Sequence, residues 1–186
     1  MKKYAILLFV LVVGFLILGR GVNLSGTSAP KLSSPTPTPY QSSEVPSPDG
    51  SKKVILKSYA LNNGSTVYSV YTSDGNGLNK SLIFSKTISK GSIFLPGNSW
   101  SPDNKYLFIE DREGADNYLV FKSSGLAFAD GEKYLNATSL FDTKVKNFTL
   151  KSMTGWDDPV LMSVWTTNGT HFWFAVETQN FIQLVR

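Results

Sequence analysis

The chain has no cysteine and a single histidine, His171. The first absence excludes a disulfide scaffold, a cysteine metal cluster, a thiol nucleophile and a lipid-modified N-terminal cysteine. The second leaves a histidine-based metal or catalytic site without its partners, and His171 is expected to be structural or at the surface. No G-x-S-x-G elbow, glycine-rich phosphate loop or H-E-x-x-H pattern occurs, so hydrolase and nucleotide chemistry lack their usual anchors. No catalytic residue, metal or cofactor is expected. An excess of positive charge is also missing where it would matter. The net charge is +4, but four of the 18 basic residues (Lys2, Lys3, Arg20 and Lys31) precede Glu44, leaving 14 against 13 acidic residues beyond it. A balanced domain lacks the basic footprint of phosphate recognition, and nucleic acid is not an expected partner.

Not all of the 186 residues are available to a globular core. Lys2 and Lys3 precede an apolar run from Tyr4 to Gly19, the pattern of a secretory signal or of an anchor that stays in the membrane. Arg20 between Gly19 and Gly21 makes a poor cleavage site, which favours the anchor. With Arg20 snorkelling, the span reaches Val22, about 19 residues and roughly 28 Å, just enough to cross a bilayer core. Residues 1–23 are therefore read as a transmembrane signal anchor with a cytoplasmic N-terminus. Residues 24–46 read as a Ser/Thr/Pro-rich linker, with SSPTPTP at Ser33–Pro39 blocking helix and ladder alike. The remaining residues, 47–186, form an extracytoplasmic domain of about 140 residues, large enough to be stable without staples.

Within that domain no window places apolar residues at helical spacing. Short β-rich runs bounded by Gly, Asn, Asp and Ser recur instead, which predicts an all-β fold. Strands are expected at 54–59, 66–72, 81–87, 106–110, 117–121, 139–141, 145–150, 160–165, 171–177 and 181–185, with an inserted hairpin joining 117–121 to 126–129.

A repeat organises these runs. Ser47-Pro48-Asp49-Gly50 before Val54-Ile55-Leu56 recurs as Trp100-Ser101-Pro102-Asp103-Asn104 before Tyr106-Leu107-Phe108-Ile109, and again, degenerately, as Trp165-Thr166-Thr167-Asn168-Gly169 before His171-Phe172-Trp173-Phe174. In each copy Pro or its replacement enters a turn, Asp or Asn caps it and Gly or Asn takes the left-handed position. On these residues the chain resembles the TolB-type, WD-repeat-like β-propeller family, whose blades carry W-S-P-D-G-K before a hydrophobic strand. Val70–Gly75 before Leu82-Ile83-Phe84, and Ser139–Lys144 before Phe148-Thr149-Leu150, look like that family's turn into a short fourth strand. The resemblance implies propeller-like antiparallel sheets in about three blade-like units. The repeat starts lie 54 and then 65 residues apart (Pro48, Pro102, Thr167), longer than a blade of about 40 to 45 residues. A closed propeller needs about four blades, so an open unit with two exposed edges is expected.

Two groups of side chains attract attention. Glu110, Asp111, Glu113 and Asp116 read as a solvated hairpin end, since their spacing does not fit a calcium loop. Trp100, Trp165, Phe172, Trp173 and Phe174 alternate as residues wedged between sheets do. Trp156, between Gly155 and Asp157, reads as a loop aromatic and hence as an exposed contact. Trp156, Asp157 and Asp158 are thus the candidate partner-contact residues. The expected function is a membrane-anchored, non-catalytic binding or scaffold module that pairs with a protein partner, or with itself, through exposed sheet edges. A remnant or partner domain of a propeller-bearing peptidase or glycosidase, and a structural cell-surface component, are the alternatives.

Overall fold

Val45 pairs with Val54 and Thr72 with Val54 on its other side, and this hairpin-after-hairpin arrangement is repeated along the whole described chain. The structure, a computed structural model, describes residues 40–185. The anchor expected at 1–23 and the linker up to Pro39 lie outside the described residues. Among the described residues, no helix is long and apolar enough to cross a membrane.

Among the described residues, twelve strands and one helix follow in order: β1 (Tyr40–Pro46), β2 (Lys52–Ala60), β3 (Thr66–Asp74), β4 (Ser81–Ile88), β5 (Ile93–Phe94), β6 (Tyr106–Asp111), β7 (Asn117–Lys122), β8 (Leu135–Asn136), α1 (Ala137–Lys144), β9 (Leu150–Asp158), β10 (Leu161–Thr166), β11 (His171–Ala175) and β12 (Asn180–Gln183). They form three four-stranded antiparallel sheets, β1-β2-β3-β4, β5-β6-β7-β8 and β12-β11-β10-β9. Each sheet takes its strands from consecutive sequence, so the fold is all-β and the contacts within each sheet are local.

Period-two alternation assigns the faces. Val54, Leu56 and Val70 of the first sheet meet Leu107, Ile109, Leu119 and Phe121 of the second in one core. The opposite face of the second sheet, Tyr106, Phe108, Tyr118 and Val120, meets Met153, Met162, Val164, Phe172 and Phe174 of the third in another. The second sheet is therefore buried on both sides, and β6 and β7 read as nearly continuous apolar runs, YLFIED and NYLVFK. Phe108, Ile109, Phe121 and Val120 are at most 1% exposed; each such side chain contributes about 1.5–3 kcal/mol by leaving water.

Three expectations are corrected. Residues 40–46, expected in the linker, form β1 and pair with 53–59 through their main chain, although their side chains carry little apolar signal. The strands expected at 139–141 and 145–150 are instead α1 and the loop after it. The Asn136 side chain accepts from the Ser139 N–H at 3.0 Å, an N-cap, and Phe141, fully buried, nails the helix to the second core. With eight residues the helix is too short to display a periodicity. The hairpin expected between 117–121 and 126–129 does not form either: β7 pairs with β8, Leu119 opposite Asn136.

Candidate binding surface

The two Ser-Pro-Asp turns are built alike. Ser47 Oγ donates to Asp49 Oδ1 (2.7 Å), the Ser51 N–H donates to the same oxygen (2.9 Å), and the Lys52 N–H donates back to Ser47 Oγ (3.0 Å). In the second turn Ser101 Oγ and the Lys105 N–H donate to Asp103 Oδ1 (2.8 and 3.2 Å), and the Tyr106 N–H donates to Ser101 Oγ (2.9 Å). Gly50 (φ 72°) and Asn104 (φ 61°) hold the left-handed position. The Ser51 N–H foremost, then the Ser47 hydroxyl and the Ser51 hydroxyl (2.8 Å), hold the Asp49 carboxyl down at about 2. Burial pushes the Asp103 carboxyl up, but the Ser101 hydroxyl, the Lys105 N–H and the Lys105 ammonium outweigh it and leave it below the usual carboxylate range.

The third copy uses the same chemistry at a different place. Thr166 Oγ1 and the Thr170 N–H meet Asn168 Oδ1 at 2.7 and 3.2 Å, but this turn joins β10 to β11, the second and third strands of its sheet. The first two join first strands to second.

Strand register identifies the true equivalents. Pro46 lies opposite Lys53, Trp100 opposite Leu107 and Trp156 opposite Met162, so Trp156 holds in the third sheet the place of Trp100 in the second. The two indoles do the same thing. Trp100 Nε1 donates to the Val45 carbonyl, and Trp156 Nε1 to the Ser99 carbonyl, both at 3.0 Å. Each reaches from its own sheet to the preceding one, and the two tryptophans are 56 residues apart, close to the 54 between the prolines of the first two turns. The second repeat interval is thus regular, once Asp157-Asp158-Pro159-Val160 is aligned with Ser101-Pro102-Asp103-Asn104.

This places the three candidate contact residues. Trp156 is a strand residue of β9, not a loop residue; its ring stacks on Tyr106 with centroids 6.1 Å apart, and it is half-buried against the second core. Burial, with help from Glu177, raises the pKa of the Tyr106 phenol. Asp157 is exposed, and its Oδ2 accepts from Trp173 Nε1 at 2.8 Å. Asp158 caps the β9–β10 turn, accepting from the Val160 N–H at 3.3 Å. Trp156 and Asp157 also line a cleft of about 370 Å³ with Pro48, Trp100 and Pro102, where the turns of the three sheets converge.

Asp157 links that cleft to the outward face of the third sheet. Met162, Val164, Phe172 and Phe174 point inward, so Ser163, Trp165, His171 and Trp173 point the other way. Of the five aromatics expected between sheets, Trp100, Phe172 and Phe174 are buried there; Trp165 and Trp173 are half-buried on the far side. The Trp165 ring lies parallel to His171 at 4.2 Å. Ser163 Oγ and His171 Nε2 are 2.7 Å apart, with Asp157 Oδ2 at 3.9 Å from the same nitrogen. In a nucleophile relay the hydroxyl and the carboxylate engage opposite ring nitrogens; here both approach Nε2, and Ser163 is 6% exposed. The arrangement orients the imidazole against Trp165 rather than activating Ser163. Ile182, opposite Trp173 and 47% exposed, extends this face across β12. Sequence alternation puts these residues on one face but does not say which face is covered.

The outer face of the first sheet is of another kind. Lys53 pairs with Glu44 at 3.3 Å, and the Lys57 ammonium lies 5.4 Å from the Tyr71 ring centroid. Between them Ile55 is 1% exposed. Tyr59 and Leu82, 43% and 54% exposed, lie on the same face, so it mixes charged with apolar groups. The acidic group at 110–116 is not wholly solvated as expected: Asp111 is 4% exposed, and Lys86 bridges it, at 2.6 Å, and Glu113, at 2.7 Å.

No protein-family model matches the chain, and no curated protein matches it.

Proposed function

We propose that this chain is a non-catalytic protein-binding module, an open array of three propeller-like blades held outside the cytoplasm by its N-terminal apolar segment. The observation that carries the reading is the outward face of the third sheet, where Trp165, His171, Trp173 and the 47% exposed Ile182 lie together with no sheet against them among the described residues. Clustered tryptophans with polar partners at their rims are the composition of protein-contact surfaces. The resemblance to TolB-type blades is supported by the Ser-Pro-Asp turns, which join first strand to second in consecutive sheets. It is supported too by the four-strand meander of each sheet, three of which fall short of the about four needed for a closed ring. The anchor reading is supported by Lys2, Lys3 and the run Tyr4–Gly19.

A photo-crosslinking amino acid at position 182 of the full chain, in the membranes of its own cells, tests the reading. A protein adduct is expected, and it should weaken severalfold when Trp173→Ala is added. A folded chain that yields no adduct at 182 overturns it.

A further inference from the structure

We infer that the outward face of the third sheet receives a β-sheet from a different polypeptide, one carrying a tryptophan on its first strand just before the turn into its second. This rests on the protein-binding reading above and names the kind of partner. The argument is continuity with two interfaces already present. The first sheet offers the Val45 carbonyl to Trp100 of the second, and the second offers the Ser99 carbonyl to Trp156 of the third. Register gives the next acceptor: Val45 lies opposite Val54, the Phe108 N–H bonds to Ser99, and Gly155 lies opposite Ser163. Gly155 therefore stands where Val45 and Ser99 stand.

The side chains continue in the same way. Val54 and Thr72 are paired neighbours in the first sheet, Phe108 and Val120 in the second, Ser163 and Trp173 in the third. Two residues earlier on the third strand, on the same face, come Val70, Tyr118 and His171. Val54 and Val70 are buried by the second sheet, and Phe108, Tyr118 and Val120 by the third. Ser163, His171 and Trp173 are the corresponding positions of the third sheet, and Trp165, stacked on His171, adds a second indole beside them.

A second copy of this chain does not fit the role. Its leading sheet has Pro46, which carries no N–H donor of any kind, where the second and third sheets have Trp100 and Trp156. It has Lys53 where they have Leu107 and Met162. Docking it would desolvate the Lys53–Glu44 pair against an aromatic face, which disfavours the wrong partner as an unpaired charge does. Among the described residues, the first sheet thus lacks the indole donor that the second and third sheets carry.

The test installs the missing donor in this chain. A full-length donor variant, Pro46→Trp with Lys53→Leu, also carries Trp165→Ala and Trp173→Ala so that it cannot accept a copy of itself. Mixed in detergent with wild type, it should form a one-to-one complex seen by sedimentation as a doubling of mass, while each protein alone stays monomeric. A donor that folds, judged by its thermal transition, yet leaves wild type monomeric overturns the inference. Where Pro46→Trp prevents folding, Lys53→Trp presents an indole from the residue paired with Pro46, and the same outcomes apply. Wild type that self-associates, and stops doing so on Trp173→Ala, also overturns it, by making a second copy the occupant. Failure of these mixtures with a persisting adduct at 182 removes the sheet-and-indole partner alone; loss of the adduct removes the binding reading itself.

Discussion

The Trp156 indole N–H meets the Ser99 carbonyl at 3.0 Å across two sheets, and the same oxygen accepts the Phe108 amide at 2.9 Å. One carbonyl thus closes a strand pair within the second sheet and ties the third sheet to it. Because a carbonyl has two acceptor sites, the tie is added without giving up a ladder bond. Trp100 repeats the arrangement on Val45 one sheet earlier, so the spacing between sheets is set by a ring and a directed hydrogen bond as well as by apolar contact.

Trp156→Phe keeps the ring over Tyr106 and removes only the N–H. Ser99 retains its amide donor, so no buried acceptor is orphaned, and the expected cost is about 1 kcal/mol. Trp156→Ala removes the ring as well and should cost about 3 kcal/mol. Urea unfolding of the full chain distinguishes the two contributions. Equal losses for Phe and Ala would mean that the hydrogen bond, and not packing, carries the contact; no loss for Phe would mean that the hydrogen bond contributes nothing.

Asp49 supplies a pH signature. Its carboxyl is held near 2, below the ordinary 3.8, chiefly by the Ser51 N–H and then by the Ser47 and Ser51 hydroxyls. A group whose folded value is depressed adds stability above its unfolded value and loses it as pH falls through the folded value. The contribution is therefore present at pH 5 and disappears between about pH 4 and pH 2. Asp49→Asn keeps an acceptor, as Asn168 does in its own turn, but does not titrate. Chemical denaturation across this range should show wild type and variant converging as pH falls. A gap between them that stays constant down to pH 2 would assign the turn's stability to something other than the ionised carboxylate.

How much of this was legible depended on how local each signal is. The Ser-Pro-Asp turns announce themselves because hydroxyl, carboxylate and left-handed residue lie within four positions and satisfy one another. The alternating strands β2, β3, β10 and β11, and the short apolar runs of β6 and β7, were legible for a similar reason. Strand β1 was not, since Gln41, Ser42 and Ser43 owe their place to main-chain pairing with β2. Trp156 was hidden because Asp157-Asp158-Pro159 replaces Ser-Pro-Asp after it, and only register reveals its equivalence to Trp100. Trp165-Thr166-Thr167-Asn168-Gly169 misled for the converse reason: the same hydroxyl-to-Asn turn closes a different hairpin equally well. One signal was overlooked for α1, Asn136 three residues ahead of Ser139 as an N-cap.

Lys86 of β4 binds the first sheet to the second through one buried carboxylate. Its ammonium lies 2.6 Å from Asp111 and 2.7 Å from Glu113. Burial by itself would lower the Lys86 pKa, but the hydrogen bonds and charges of these two carboxylates outweigh it and raise it. The pair is unequal in exposure: Glu113 can return to water, whereas the Asp111 side chain is 6% exposed and has the Glu113 N–H at 3.1 Å as its other donor. Lys86→Met keeps most of the stem and deletes the charge, leaving Asp111 in the interface without its cation. Removing one partner of a buried pair costs about 3 kcal/mol, whereas replacing both is close to neutral. Lys86→Met with Asp111→Leu should therefore be more stable than Lys86→Met alone, while Glu113→Gln should change stability by less than about 0.5 kcal/mol. A double-mutant cycle by urea unfolding measures the coupling directly. Additive losses for Lys86→Met and Asp111→Leu would show that the two groups act independently and that the sheets are held together by the apolar core alone.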